Sequence, residues 1–273
     1  MYRTGGTTVP RLAEGGSPAR GAELPLRLAR IVRREFPEPG CRVEDPDVLG
    51  FLNDATARQA RRGTVAKADS VVGTTFAAMA RDIVSLLRTA GELDEEFDLV
   101  LVAHATPDLH PWVSPATYLN HALPGDPLTF SVSDQGASAA YTALRIIADY
   151  SRRHSYRRVL LLLADQSTAS CDGGTAPEPG GDVAVALVLD ASAGSTLSVE
   201  QFRGVGPSDV DGLLAARVAE LGTPEVVPGP GILGDEPGAG GRPCGGIWRA
   251  VAGPTVFADY DASRGELSLC LAS

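Results

Sequence analysis

Two apolar spacings alternate along this chain, and each change of spacing marks an element. Residues 1–22 are rich in Gly, Thr and Pro and read as loop or a frayed edge strand. Over 24–36, Leu24, Leu28, Ile31 and Val32 share one helical face, which predicts a helix closed by Pro37 and Pro39. Residues 47–62 form a second helical stretch. The clearest helix covers 69–90, where Val72, Phe76, Met79, Ile83, Leu86 and Leu87 recur at three and four residues. Asp69 or Ser70 is placed to cap its start, and Gly91 stands where a left-handed glycine ends a helix.

The period then changes. Residues 97–103 (FDLVLVA), 159–164 (VLLLLA) and 181–190 (GDVAVALVLD) are unbroken apolar runs, as in strands buried on both faces. Residues 128–133 read as a shorter strand. Over 137–150, Ala137, Ala140, Tyr141, Leu144, Ile147 and Ala148 line one helical face. Residues 167–180 form a polar loop. The pattern repeats more weakly after 195: a strand at 196–202, a helix at 208–221 and a short strand at 225–227. A glycine-rich stretch covers 229–246, a helix start falls at 244–251, and a hairpin over 256–261 and 266–271 turns at Ser263-Arg264-Gly265. Strands alternating with helices predict a layered α/β fold with a mostly parallel sheet.

Composition narrows the chemistry. The 273 residues suffice for one large domain or two fused halves. The four cysteines, Cys41, Cys171, Cys244 and Cys270, are far apart without a CxxC pair, so no metal or disulfide framework is expected. With 24 basic and 34 acidic residues the net charge is −10, which disfavours a nucleic-acid partner. No apolar run reaches the ~18 residues of a membrane span and no signal segment is evident, so a soluble, cytoplasmic protein is expected. Abundant Ala, Gly, Arg and Pro with little Lys suggests a high-GC bacterial source.

Five segments in order carry a resemblance: HATPD at 104–108, SPATYLNHAL at 114–123, GASAAYTAL at 136–144, YRRVLLLLAD at 156–165 and GDVAVALV at 181–188. Together they resemble the thiolase-like superfamily, and within it the ketoacyl-ACP synthase III type, over about residues 69–190. The resemblance implies a layered αβαβα fold of two similar halves, here 1–195 and 196–273, with the C-terminal half shortened. In that family a nucleophilic cysteine stands at the elbow between a strand and a buried helix. Here the elbow is Asp134-Gln135-Gly136-Ala137-Ser138. Alignment on the helix puts Ala137 at the nucleophile position, and alignment on the strand puts Gly136 there. The family also uses a histidine in its second half, and no histidine follows His154.

The resemblance therefore implies a degenerate, non-condensing ketosynthase-like protein of a bacterial polyketide, fatty-acid-like or other secondary-metabolite pathway, antibiotic biosynthesis included. It would be a partner subunit, chain-length-factor-like, of a catalytic ketosynthase. The alternative is an acyl-thioester enzyme of altered chemistry, an acyltransferase, decarboxylase or thioesterase using a non-cysteine site. A third reading is a ligand-binding or scaffold domain with no thioester link. The implied partners are a ketosynthase homologue or a second copy of the chain, with acyl carrier protein or acyl-CoA. No cofactor is implied.

Several residues are candidates for chemistry. Ser138 is either a nucleophile with His104 or His110 as base, or a serine capping the helix. Asp134 and Gln135 either line a degenerate pocket or serve the turn. Arg242 and Cys244 fall in the glycine-rich stretch that resembles the family's second polar site, and Cys171 lies in a polar loop. The arginines 152, 153, 157 and 158, with Arg58, Arg61 and Arg62, either dock an acidic carrier or coenzyme A phosphates, or form solvated faces.

Overall fold

The computed structural model describes residues 18–38, 40–59, 70–166, 181–222, 224–233, 242, 244–250 and 252–273. Two five-stranded sheets dominate it. The first has the order β2-β8-β7-β5-β6, from β2 (Arg27–Phe36), β5 (Leu99–His104), β6 (Leu128–Val132), β7 (Arg158–Asp165) and β8 (Asp182–Asp190). The second has the order β1-β9-β12-β11-β10, from β1 (Pro18–Glu23), β9 (Leu197–Arg203), β10 (Glu225–Pro228), β11 (Thr255–Asp261) and β12 (Glu266–Ala272). A small antiparallel pair, β3 (Cys41–Val43) with β4 (Val71–Gly73), packs with α1 (Pro46–Gln59) against Leu109.

Strand alternation sorts the core into layers. Val100, Val102, Leu160, Leu162, Ala184 and Ala186 pack on α2 (Phe76–Thr89) and α3 (Pro115–Ala122). Their neighbours Leu99, Leu101, Leu161, Leu163, Val185 and Leu187 face the middle of the molecule. There they meet α4 (Ala139–His154), whose other side packs on Val199, Phe257 and Cys270 of the second sheet. The outer face of that sheet (Val256, Ala258, Leu267, Leu269) is covered by Val210 and Leu214 of α5 (Val210–Glu220). The order helix, sheet, helix, sheet, helix is the expected αβαβα stack.

The halves share a plan, and the second is shorter. β7 and β8 pair antiparallel, as do β11 and β12; β5 runs parallel to β7, as β10 does to β11; β2 flanks β8 as β9 flanks β12. Between β5 and β7 the chain makes α3, β6 and α4. Between β10 and β11 the described residues hold only α6 (Pro230–Leu233) and a turn at 244–247. Among the described residues the middle layer therefore holds one long helix, with that turn beside it.

Four expectations need correction. Residues 24–36 are not a helix: β2 pairs along β8 with a register shift between Leu28 and Arg30. That bulge returns Leu28 and Ile31 to the same core, which gives a strand the three-residue spacing of a helix. The helix expected from 69 begins only at Phe76, because 71–73 is strand; Thr75 is its N-cap, accepting the Ala78 N–H at 3.2 Å, while Gly91 is left-handed (φ 74°) as read. The sheets are mixed rather than mostly parallel, since β7 pairs antiparallel with β8 and β11 with β12. Residues 244–247 turn rather than start a helix, with the carbonyls of Gly245, Gly246 and Trp248 tied to Arg33.

Candidate functional site

The elbow forms where β6 ends. Asp134 adopts a left-handed backbone (φ 58°), unusual without glycine, and Gly136 does so as well (φ 52°). One tight turn, Gly136–Ser138, then feeds α4. The β11–β12 hairpin closes over this turn. A Cβ at Gly136 would lie 2.2 Å from Oδ2 of Asp261, so that carboxylate occupies the space a side chain there would need. Asp261 is held by the Ser263 hydroxyl (2.6 Å) and the Arg264 N–H (3.1 Å). Arg264 reaches back to the elbow, donating to Gln135 Oε1 at 2.9 Å and to the Asp134 carbonyl at 3.4 Å.

Ser138 is buried, but it does not cap α4 through its side chain. Its hydroxyl is 3.3 Å from that of Ser268 on β12, at one end of a buried polar chain. Gln201 donates to Ser268 (3.3 Å) and to Glu266 (2.8 Å) and accepts from Arg145 (2.7 Å). The expected capping role is thus corrected: the first turn of α4 is tight, and the hydroxyl turns to the second sheet.

His104 ends β5, half-buried, with its ring 5.0 Å from that of Phe76 and Nδ1 2.7 Å from the Thr106 carbonyl. Burial lowers its pKa against the pull of that carbonyl, Asp108 and Asp134, so the ring is neutral with Nδ1 donating. Among the described hydrogen bonds, neither His104 nor His110 pairs with Ser138. His110 is exposed, its backbone N–H donating weakly to Asp108. Asp108 accepts the Phe76 N–H at the start of α2 and the Gln166 amide, so the ATPD turn anchors a helix.

Cys244 approaches from the second half. It is buried, its thiol donates to the Ala103 carbonyl at 3.4 Å, and the Ala140 N–H in the first turn of α4 points at its sulfur. Burial and the nearby Asp165 push its pKa well up, so it is a neutral thiol. Asp165 accepts the N–H groups of Cys244 (3.0 Å) and Gly245 (2.5 Å), and burial raises it to about 7. Arg242 is drawn to the sheet edge, donating to the Gly181 carbonyl at 3.0 Å and pairing with Glu35 at 3.2 Å.

The arginine cluster divides. Arg158 is a structural ion pair with Glu92 (2.7 Å) and Asp190 (2.9 Å), and Arg152 bonds the Glu23 carbonyl; Arg153 and Arg157 stay exposed. Cys171, Arg61, Arg62 and the Arg58 side chain lie outside the described residues.

Sequence reading missed Asp261, Arg264 and Asp165 as members of this region. A signal existed for two of them: VLLLLAD and VFADYD both end an apolar strand in an aspartate.

No protein-family profile matches the sequence, and no curated protein sequence does. Solved structures do match in fold. The 3-oxoacyl-(acyl carrier protein) synthase III of Pseudomonas aeruginosa PAO1 aligns at TM-score 0.56 and 15% identity, over 92% of this chain and 98% of that one. ChlB3, described as an acyltransferase, aligns at TM-score 0.61 and 16% identity, over 91% and 97%. OleA of Xanthomonas campestris, in a variant form, aligns at TM-score 0.59 and 11% identity, over 92% and 97%. The fold is thiolase-like. At these identities the likeness carries the fold, and the chemistry rests on the residues present.

Proposed function

We propose that the chain is a non-condensing, ketosynthase-like subunit of a bacterial secondary-metabolite pathway, cytoplasmic, that pairs with a catalytic ketosynthase homologue or with a second copy of itself. The observation that carries this reading is the elbow: it has no cysteine, and Asp261 fills the space beside Gly136. A thiolate nucleophile needs a helix N-terminus and a paired base. The thiol at the start of α4, Cys244, is neutral and buried, and no histidine follows residue 154.

A surface for pairing supports it. β6 (LTFSV) is an edge strand without a charge or a proline, and Leu128 at its start is 44% exposed. Uncharged edges are templates for another strand. Beside it run the rings of Phe130, Tyr150, His154 and Tyr156, each in contact with the next.

Co-expression with a ketosynthase encoded in the same operon, followed by affinity capture and light scattering, tests the reading. A stoichiometric complex, or a homodimer lost on Phe130→Lys, is the expected result. A monomer both alone and with the homologue overturns it.

The second reading, an acyl-thioester enzyme of altered chemistry, moves from the non-cysteine site expected at the elbow to Cys244, where the Ala140 N–H at the sulfur would favour a thiolate. Incubation with malonyl and acyl thioesters followed by intact-mass measurement decides it. An adduct lost on Cys244→Ala supports it, and no adduct and no turnover removes it.

A further inference from the structure

Four strands form the edges of the two five-stranded sheets, and three of them are guarded. β2 carries Arg27, Arg30, Arg33 and Arg34; β1 holds a proline and two charges; β10 is four residues long and ends in a proline. β6 has neither a charge nor a proline, and no described strand pairs with its outer side. Guarded edges resist a further strand, and a bare one accepts it.

At the foot of β6 the surface opens into a cavity of about 640 Å³. Leu128 and Thr129 of the strand line it, with Tyr156 from the approach to β7. Among the described residues its charged lining is Glu96, Asp98 and Asp126, all exposed, with no cation. Asp98 is held in place, accepting the N–H groups of Arg157 (2.7 Å) and Arg158 (3.0 Å). The Arg158 guanidinium is engaged elsewhere, by Glu92 and Asp190. A strand laid along β6 passes these carboxylates at one end.

The chain's own strand does not supply the counter-charge. Residues 124–137 (PGDPLTFSVSDQGA) contain two aspartates and no Lys, Arg or His. Pairing of β6 with its own copy about a twofold axis through the sheet is antiparallel, which sets each cavity against the other copy's elbow. The charges at the elbow are Asp134, Asp261 and Arg264, and Arg264 is committed to Gln135 and the Asp134 carbonyl. The exposed Arg153 and Arg157 flank Tyr156 in sequence, at the cavity's own end of the sheet. In an antiparallel self-pair they lie at the far end from the other copy's cavity.

We propose that β6 is the docking edge for an extended segment of a different protein, one that carries an arginine or lysine where it passes the cavity at Leu128. The inference rests on the pairing reading and narrows it: the partner is a second kind of chain and not a copy of this one.

The probes are two labelled peptides of alternating valine and threonine, one with an arginine at each end and one with a glutamate at each end. Fluorescence anisotropy with the full chain should show the arginine peptide bound at least about 10-fold tighter, a preference that shrinks as salt rises. Glu96→Gln with Asp126→Asn should cut the preference about 3–10-fold, since each exposed ion pair is worth up to about fivefold. Asp211→Asn with Glu38→Gln, on α5 and just past β2, removes the same charge elsewhere and should leave it unchanged. Phe130→Lys, at the centre of β6, should abolish binding, and thermal melts verify that every variant is folded. Equal affinity for the two peptides, no binding of either, or a preference that survives Glu96→Gln with Asp126→Asn overturns the inference. A homodimer lost on Phe130→Lys also overturns it, while sustaining the pairing reading. Selective binding of the arginine peptide without any complex with the operon's ketosynthase removes that reading and sustains the docking edge.

Discussion

Restoring a cysteine at the elbow is the most direct perturbation, and the structure says what it costs. Gly136→Cys places a Cβ 2.2 Å from Asp261 Oδ2, well inside van der Waals contact, at a backbone φ of 52°. The left-handed backbone costs a residue with a Cβ about 1–2 kcal/mol. The overlap is with the terminal oxygen of a side chain, so turning that carboxylate aside from its bonds to Ser263 and Arg264 adds about 0.5–1.5 kcal/mol. The sum, about 1.5–3.5 kcal/mol, lowers the melting temperature of a chain of this length by about 3–7 °C. The two parts separate in a cycle with Asp261→Ala. Removing the carboxylate relieves the overlap and leaves the backbone term, so the double variant should recover about 0.5–1.5 kcal/mol relative to additivity. Gly136→Ala should match Gly136→Cys, since the clash is at Cβ. Melts of the four proteins, with intact-mass measurement after acyl thioester treatment, form the assay. The single variant should show no acyl adduct. If Gly136→Cys melts with the wild type, or if the cycle is additive, Asp261 does not fill the space beside Gly136.

Two further outcomes follow from the interior. Asp165 and Asp259 are both raised to about 7 by burial, so between pH about 4 and 7 the folded chain holds protons that the unfolded chain has released. Stability is then highest below that window and falls as pH rises through it, by at most about 4 kcal/mol for each group. Urea midpoints should drop from pH about 5 to about 8, and Asp259→Asn should reduce the slope; a rising or flat profile contradicts the assignment. Trp248→Ala should cost about 3–5 kcal/mol in chemical denaturation, because the indole is fully buried between Tyr141 and Phe257. A loss below 1 kcal/mol would mean that the turn beside α4 is not part of the core.

The layers were legible in the sequence because they rest on local pattern. The apolar runs of β5, β7 and β8 and the face of α4 carry their own periods. The order of five short segments was enough to suggest the fold. β2 misled because a single bulge imitates helical spacing. The site was less legible. Gly136 and Asp261 are far apart in sequence, and nothing local at either residue announces that they touch. Ser138 looked like a cap because of its residue type and place, but a tight first turn and a hydroxyl on β12 decide its role. Asp108, the last residue of the HATPD segment, anchors α2 by accepting the Phe76 N–H, a contact 32 residues away in sequence.

The pairing of β1 with β9 has a consequence for synthesis. The first sheet is built wholly from residues 27–190, so it can close once that length has left the ribosome. β1 emerges before any of it, yet its neighbour β9 begins at residue 197 and is flanked in turn by β12, which ends at Ala272. The first described strand must therefore wait, unpaired, until residues 197–203 have followed. Its sequence, PARGAE, suits that wait: a proline, a glycine and two opposite charges in six residues make a poor template for aggregation.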